Sequence, residues 1–335
     1  RISELDNLRV LAVKKDFPYA REGETVNFRM LLEDGESPGR AVEIFWGFWC
    51  VNPPGDSFTA CLATPPVAPP VFEFDKEEFA IDIPEDIIRE NPQDPTAPPY
   101  GLVYVFHAAC AGRLDFSEGS DGFGGFGGSD GLDFEGDGSV GEFPDDVSPL
   151  TALPVCLDEQ GEPLGPDDFI VGFSAVYVFE EYRNANPVIN GFGVDNASVT
   201  PECIGNDCEG EFDPDSITGC TEGVVCLKAC EDDGDPSCPE IKLEVQVDRS
   251  SVEEDELARD SYGSSLEESI WVSYFADRGS VASDVKLVND AVEGWVDDQS
   301  TDFYAPEEVG PLRLWAVVRD NRGGQEWIRI PAYVE

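Results

Sequence analysis

Apolar and polar residues alternate with a period of two along most of this chain. In "TVNFRMLL" (25–32), Val26, Phe28, Met30 and Leu32 share one side while Asn27 and Arg29 share the other. "VEIFWGFWC" (42–50) aligns Val42, Ile44, Trp46, Phe48 and Cys50 and sends Trp49 to the opposite face. "IKLEVQVD" (241–248) sets Ile241, Leu243, Val245 and Val247 against Lys242, Glu244 and Gln246. "GLVYVFHAAC" (101–110) and "DFIVGFSAVYVFEEY" (168–182) are apolar on both faces, as central strands are. Further strands are predicted at "SIWVSYFA", "VKLV", "LRLWAVVRD" and "EWIRIPAYV". A helical period is nearly absent, apart from a turn or two expected at "PEDIIREN" (84–91).

Short strands separated by Gly, Pro and Asp signals predict an all-β chain of antiparallel β-sandwiches. Residues 11–37 weakly echo 245–280, each a strand, an acidic turn, a second strand and a closing turn. The echo implies two sandwiches of one ancestry. At 335 residues, 41% of them apolar, the chain can fill two cores.

Charge narrows the partners. Seventy Asp and Glu against 21 Lys and Arg give a formal net charge of -49, spread along the chain. Such a surface repels phosphate backbones and anionic headgroups, so neither nucleic acid nor direct electrostatic membrane binding is expected. No run of 18 apolar residues is present to span a bilayer. The sequence opens at Arg1 without a basic and apolar leader, which fits a mature form after removal of an export signal.

Ten cysteines and a single histidine, His107, constrain the chemistry further. Six of the ten, Cys203, Cys208, Cys220, Cys226, Cys230 and Cys238, fall in one acidic stretch poor in apolar residues. Their spacing has no paired C-x-x-C knuckles and matches neither iron–sulfur nor haem attachment patterns, and one histidine cannot complete zinc sets built on imidazole. Surrounding carboxylates raise thiol pKa values, the opposite of what a thiolate ligand requires. These six are therefore read as disulfide staples of a loop unable to order itself, in an oxidising, extracellular or outer-surface compartment. Six cysteines allow fifteen pairings, and their connectivity stays open. Cys50 is expected to pair with Cys61, and Cys110 with Cys156.

Three places then resemble exported bacterial cell-surface proteins, often lipoproteins, built of immunoglobulin-like modules. "LRVLAVKKDFPYAREGETVNFRMLLED" looks like the first two strands of such a module, "NANPVINGFGVDN" (184–196) like a junction, and "LRLWAVVRDNRGGQEWIRI" like a last hairpin turning through Asp320, Asn321, Gly323 and Gly324. The resemblance implies two immunoglobulin-like sandwich domains, 1–185 and 186–335, and a surface-exposed, generally non-enzymatic role. An acylatable N-terminal Cys and the antibody-type cysteine pair between facing sheets are not present in this sequence.

Each domain is expected to carry one long insertion, about 112–167 in the first and about 199–239 in the second. In the first, Gly122, Gly124 and Gly127 formally match G-x-G-x-x-G, but no helix pattern follows and acids surround it, so a dinucleotide is excluded. Asp133, Glu135 and Asp137 before Gly138 resemble the start of an oxygen-ligand calcium loop, although Pro144 stands where its bidentate Glu belongs. Asp232, Asp233 and Asp235 form a second calcium candidate; no other cofactor is implied. Phe116, Phe123, Phe126, Phe134 and Phe143 punctuate the first insertion, where they can pack on the sandwich or on a neighbouring molecule.

No catalytic constellation stands out. His107, in mid-strand, reads as structural, and no carboxylate pair is singled out among so many acids, so the chain is not expected to be an enzyme. Trp46 reads as core; Trp49 and Trp315 face the other way, where stacking on sugars and packing are both open. The expected role is a non-enzymatic extracellular structural or interaction protein. It would be a subunit of a filament, appendage or surface layer, joined to protein partners, itself included, through edge strands such as "RISELDNLRVLAV" and through the loop insertions. The alternative is a surface receptor or adhesin whose insertions bind a carbohydrate, metal or protein ligand.

Overall fold

A computed structural model describes residues 3–62, 70–91, 97–116, 154–195, 197–199, 203–204, 217–221, 223–230, 238–263 and 265–335. The protein is all-β, with the strands predicted from period-two alternation present at their expected places. Among the described residues its α-helices are Phe58–Cys61 and Glu256–Tyr262, with 3-10 turns at Pro54–Asp56 and Arg249–Ser251, while "PEDIIREN" forms only a turn.

The chain divides into two compact units: unit 1 comprises 1–19, 30–39 and 182–335, and unit 2 comprises 20–29 and 40–181. The passage at 181/182 lies close to the boundary read from sequence, but two N-terminal segments join the C-terminal unit. Unit 2 is thus inserted into unit 1 along the chain.

Unit 1 is a sandwich. One sheet runs Ala197–Val199, Ile189–Val194, Ile241–Val247, Thr301–Tyr304, Ser280–Val281; the other runs Cys203–Ile204, Gln325–Val334, Gly310–Asp320, Ile270–Ala276, Val285–Asp290, Gly294–Trp295. Inward residues of both, including Phe192, Val245, Phe303, Val272, Ala316 and Ile328, form one buried apolar core. Within it the Tyr274 hydroxyl donates to the Gln299 carbonyl and accepts from the Val245 N–H at 3.1 Å, which satisfies the one polar atom its ring carries inward.

The second sheet has another buried face. Leu5, Leu11, Ala12 and Leu31 pack there with Phe275, Trp315, Val317 and Trp327. "RISELDNLRVLAV" is therefore not a free donor strand: Leu8–Lys15 is already in a sheet beside Thr25–Asp34, and its apolar side chains are spent on this core. Leu31 rather than Leu32 is the buried residue at the end of Thr25–Asp34, because from Leu31 onward the strand buries its opposite parity. Trp315 is core as well, which closes the sugar-stacking alternative for it.

Glu33 follows on that face and is buried with charge. Its carboxylate accepts from Trp315 Nε1 at 3.0 Å, Arg329 at 2.8 Å and Arg313 at 3.2 Å, while Arg313 Nε also donates to Asp277 at 3.0 Å. The Arg313 guanidinium lies 5.0 Å from the Trp315 ring centre. Glu33→Ala leaves two guanidinium groups without their shared carboxylate, and the expected loss of stability is about 3–5 kcal/mol in urea unfolding.

A second buried polar group surrounds the Asp320–Gly324 turn. Asp320 accepts from the Arg322 and Gly324 N–H groups at 2.7 and 2.8 Å and from Asn184, while Arg322 pairs with Glu253 and Glu268. Burial, reinforced by Asp320, raises Glu268 from 4.5 to about 8 despite Arg322. Burial likewise lowers Lys15 from 10.5 to about 8, against the pull of Asp320. Between pH 4.5 and 8 the native state holds the Glu268 proton that the unfolded chain has lost, so this group's contribution falls as pH rises. Between 8 and 10.5 the unfolded chain binds more protons at Lys15, and that contribution rises. Urea midpoints for wild type are expected to fall from pH 6 to 8, and Glu268→Gln to flatten that limb.

Unit 2 has the sheet Tyr19–Ala20, Phe169–Val178, Gly101–Cys110, Glu43–Val51, Val71–Phe74. Against its inner face lie the first half of Thr25–Asp34 and its partner Glu78–Asp82, paired from Thr25↔Asp82 to Arg29↔Glu78. Phe28, Trp46 and Phe79 meet there, with Trp46 stacked on Phe79 at 5.7 Å. His107 sits on this face, buried beside Trp46 and opposite Gly172, where an added Cβ would come within 2.5 Å of its Nε2.

The expected pairs Cys50–Cys61 and Cys110–Cys156 are both formed. Cys220–Cys226 and Cys230–Cys238 are formed as well; of the remaining two, Cys208 lies outside the described residues. A bulge between Phe48 and Cys50 breaks the expected alignment of Cys50 with Trp46 and turns it, with Trp49, to the outer face.

Candidate functional site

The outer face of the unit 2 sheet is rich in rings, set among the cysteines of two disulfides. Phe45, Trp49, Phe72 and Phe106 form its buried floor, and Phe116 covers one end, 4.8 Å from Phe45. Trp49 gives its Nε1–H to the Cys61 carbonyl, so it packs within the floor and has no ring face to offer a sugar. Along Phe169–Val178 the odd positions belong to this face. Val171 is 42% exposed, Phe173 48% and Tyr177 39%.

The loop that borders this face starts from Asn52, Gly55 and Asp56, each with positive φ. Asn52 is fixed there because its side chain accepts from the Leu102 N–H and donates to the Ile87 carbonyl at 2.6 Å. The turn runs into Phe58–Cys61, which the Cys50–Cys61 bond ties to the sheet. Phe58 is thereby laid on Phe173, centroids 3.9 Å apart and planes at 14°, with Tyr104 edge-on to the same ring.

Asp56 is the polar node. Its carboxylate accepts from Arg89 at 2.8 Å and from the Tyr100 hydroxyl, and its carbonyl accepts from the Tyr104 hydroxyl at 3.0 Å. Tyr177 lies against Tyr100 at 5.8 Å. Burial, then the hydrogen bond and charge of Asp56, push the Tyr100 phenol far above its ordinary range. Burial is also the main cause of the upward shifts of Tyr104 and Tyr177, and the Asp56 charge adds to both. Asp56→Asn keeps an acceptor and removes the charge. In an alkaline absorbance titration it is expected to bring the Tyr104 and Tyr177 phenols down towards ordinary tyrosine.

The histidine reading agrees with the geometry. Burial lowers His107 from 6.5 to about 4, so the imidazole is neutral at physiological pH, enclosed between Trp46 and Gly172. The calcium candidates Asp133, Glu135, Asp137, Asp232, Asp233 and Asp235 lie outside the described residues. Among the described residues no three His, Cys, Asp or Glu side chains converge as a metal site.

The Cys-rich insertion does structural work at an edge. Cys203–Ile204 pairs with Ile328 and Arg329 antiparallel, and Val225–Leu227 pairs with Ala332–Val334 parallel, so both lie on the outer edge of Gln325–Val334. Val225 and Leu227 enter the unit 1 core.

The aromatic face is hidden in the sequence because "DFIVGFSAVYVFEEY" is apolar at both parities, the pattern of a strand buried on both sides. Such a strand can equally leave one face open to a partner.

No family model matches the chain, and no curated protein matches it either. Several solved structures are similar to it, three of which follow. The FN1–FN3 domains of chicken CNTN1 are 10% identical, covering 98% of this chain and 68% of that one at a TM-score of 0.22. The fibronectin(III)-like modules of Clostridium thermocellum CbhA are 8% identical, with 96% and 93% covered and a TM-score of 0.20. Dimeric latent PorU of Porphyromonas gingivalis is 8% identical, with 99% and 24% covered and a TM-score of 0.21. Likenesses this distant assign no function.

Proposed function

We propose that this chain is a non-enzymatic extracellular protein of the cell surface, a subunit of a filament, appendage or surface layer held by protein–protein contacts at edge strands and loop insertions. Its disulfides fit an oxidising compartment, and among the described residues no helix is long and apolar enough to cross a membrane.

The observation that carries this reading is the outer side of Val285–Leu287. This strand meets Gly294–Trp295 only at Asn289 and Asp290, and among the described residues no strand lies beyond Val285 and Leu287. The Tyr274 N–H donates to the Asp284 carbonyl, so alternation turns the backbone groups of Lys286 inward and those of Val285 and Leu287 outward. Val285 and Leu287 are 54% and 40% exposed. An open edge with apolar side chains recruits an extended segment, and Lys286 favours an acidic one. A surface receptor is the second reading, favoured by the aromatic face of unit 2.

Light scattering and electron microscopy of the oxidised protein, at low and high salt and with calcium or chelator, test assembly. Ordered polymers are expected once cations screen the -49 charge, and Val285→Pro, which removes an outward N–H, is expected to reduce them. A monodisperse particle under all four conditions rules out self-assembly by this chain.

A further inference from the structure

The exposed rings of the unit 2 sheet lie near the Asp56 carboxylate on a strongly acidic chain, and that combination selects a ligand. We propose that Val171, Phe173 and Tyr177 form a docking surface for a basic polypeptide segment whose arginine or lysine side chains lie over the Phe173 and Tyr177 rings, their apolar stems along Val171. The site belongs to the receptor reading and is independent of the assembly edge.

Three observations lead there. The first is ring geometry. Phe173 is stacked on Phe58 and edge-on to Tyr104, and Tyr177 is set against Tyr100 and Phe179, so the rings are held in place before any ligand arrives. A preordered aromatic surface binds without the cost of freezing its own side chains.

The second is local charge. The Asp56 carboxylate is felt at Tyr100, Tyr104 and Tyr177 alike, in the same sense at each. Arg89, the guanidinium at this node, is engaged by Asp56 and by the Pro53 carbonyl. The Tyr100 and Tyr104 hydroxyls are turned to Asp56, so neither donor is directed at the exposed Phe173 and Tyr177 rings. Aromatic faces are themselves negative at their centres and attract cations.

The third is the charge of the whole chain. With 70 acids against 21 Lys and Arg, long-range attraction draws cations and repels anions, so phosphates, nucleic acids and acidic glycans are turned away before contact. The chain uses the same pairing internally, with Arg249 lying 5.0 Å from the Trp295 ring centre and Arg313 equally close to Trp315. A polypeptide is favoured over an isolated cation because Val171 extends the surface along the strand. Alternate residues of one face are about 7 Å apart, the repeat of an extended peptide.

Titration calorimetry at physiological salt tests this with a synthetic peptide alternating Arg and Leu, its citrulline counterpart of equal shape and no charge, and a neutral glucan oligosaccharide. Saturable binding of the arginine peptide is expected, with the other two binding at least about tenfold more weakly. Phe173→Ala combined with Tyr177→Ala is expected to weaken it about tenfold without changing net charge. Val171→Lys, an exposed replacement that leaves the rings in place, is expected to weaken it as well, which separates loss of the surface from loss of the fold. Affinity unchanged by these substitutions overturns the proposal and reduces the interaction to unspecific attraction to a polyanion. Equal binding of the citrulline peptide or the glucan overturns it in favour of a neutral ligand.

Discussion

The carboxylate of Glu33 closes unit 1. Three donors converge on it, from Trp315, Arg313 and Arg329, and Glu33 is 280 residues away in sequence from the Arg313 guanidinium. A buried charge is tolerable only when its partners are all present, so the network requires the residue 30–39 segment and the C-terminal hairpin to be in place together. With that closure, Leu31 completes the apolar face shared with Trp315 and Trp327. Without it, one face of the seven-stranded sheet loses its cover. Unit 2, whose residues 40–181 are continuous, needs no partner segment so far away and can order earlier than unit 1.

Alternation carried most of the fold, because a strand with one buried face writes its period into the sequence. It carried less wherever a strand serves two environments. Thr25–Asp34 buries Val26, Phe28 and Met30 at one parity and Leu31 and Glu33 at the other, and nothing in "TVNFRMLLED" marks where the parity changes. The bulge after Phe48 is equally silent, since it inserts a residue without a Gly or Pro to signal it. Cys50–Cys61 and Cys110–Cys156 were legible from proximity in sequence and from their position in the first half. The N-terminal strand resembles a free donor in sequence because its own partner surface, the far side of Gly310–Asp320, lies some 300 residues further along.

The candidate surfaces were less legible than the fold. Exposed rings and buried rings have the same letters, and only the packing distinguishes Phe173 from Phe106. Two disulfides, Cys220–Cys226 and Cys230–Cys238, staple the Cys-rich stretch, but its work at the edge of Gln325–Val334 depends on parallel pairing of three residues, too short a run to carry a signal. Pairing there satisfies backbone groups that would otherwise offer a second open edge beside Val285–Leu287.

Inserting one unit into another also decides how the molecule bears tension. Leu8–Lys15 and Gln325–Val334 both belong to unit 1, as do the segments on either side of the insertion. A pull applied between residues 5 and 334 is resisted by the Glu33 network and the ten-pair ladder of the last hairpin. Unit 2 is a loop on that load path rather than a link in it.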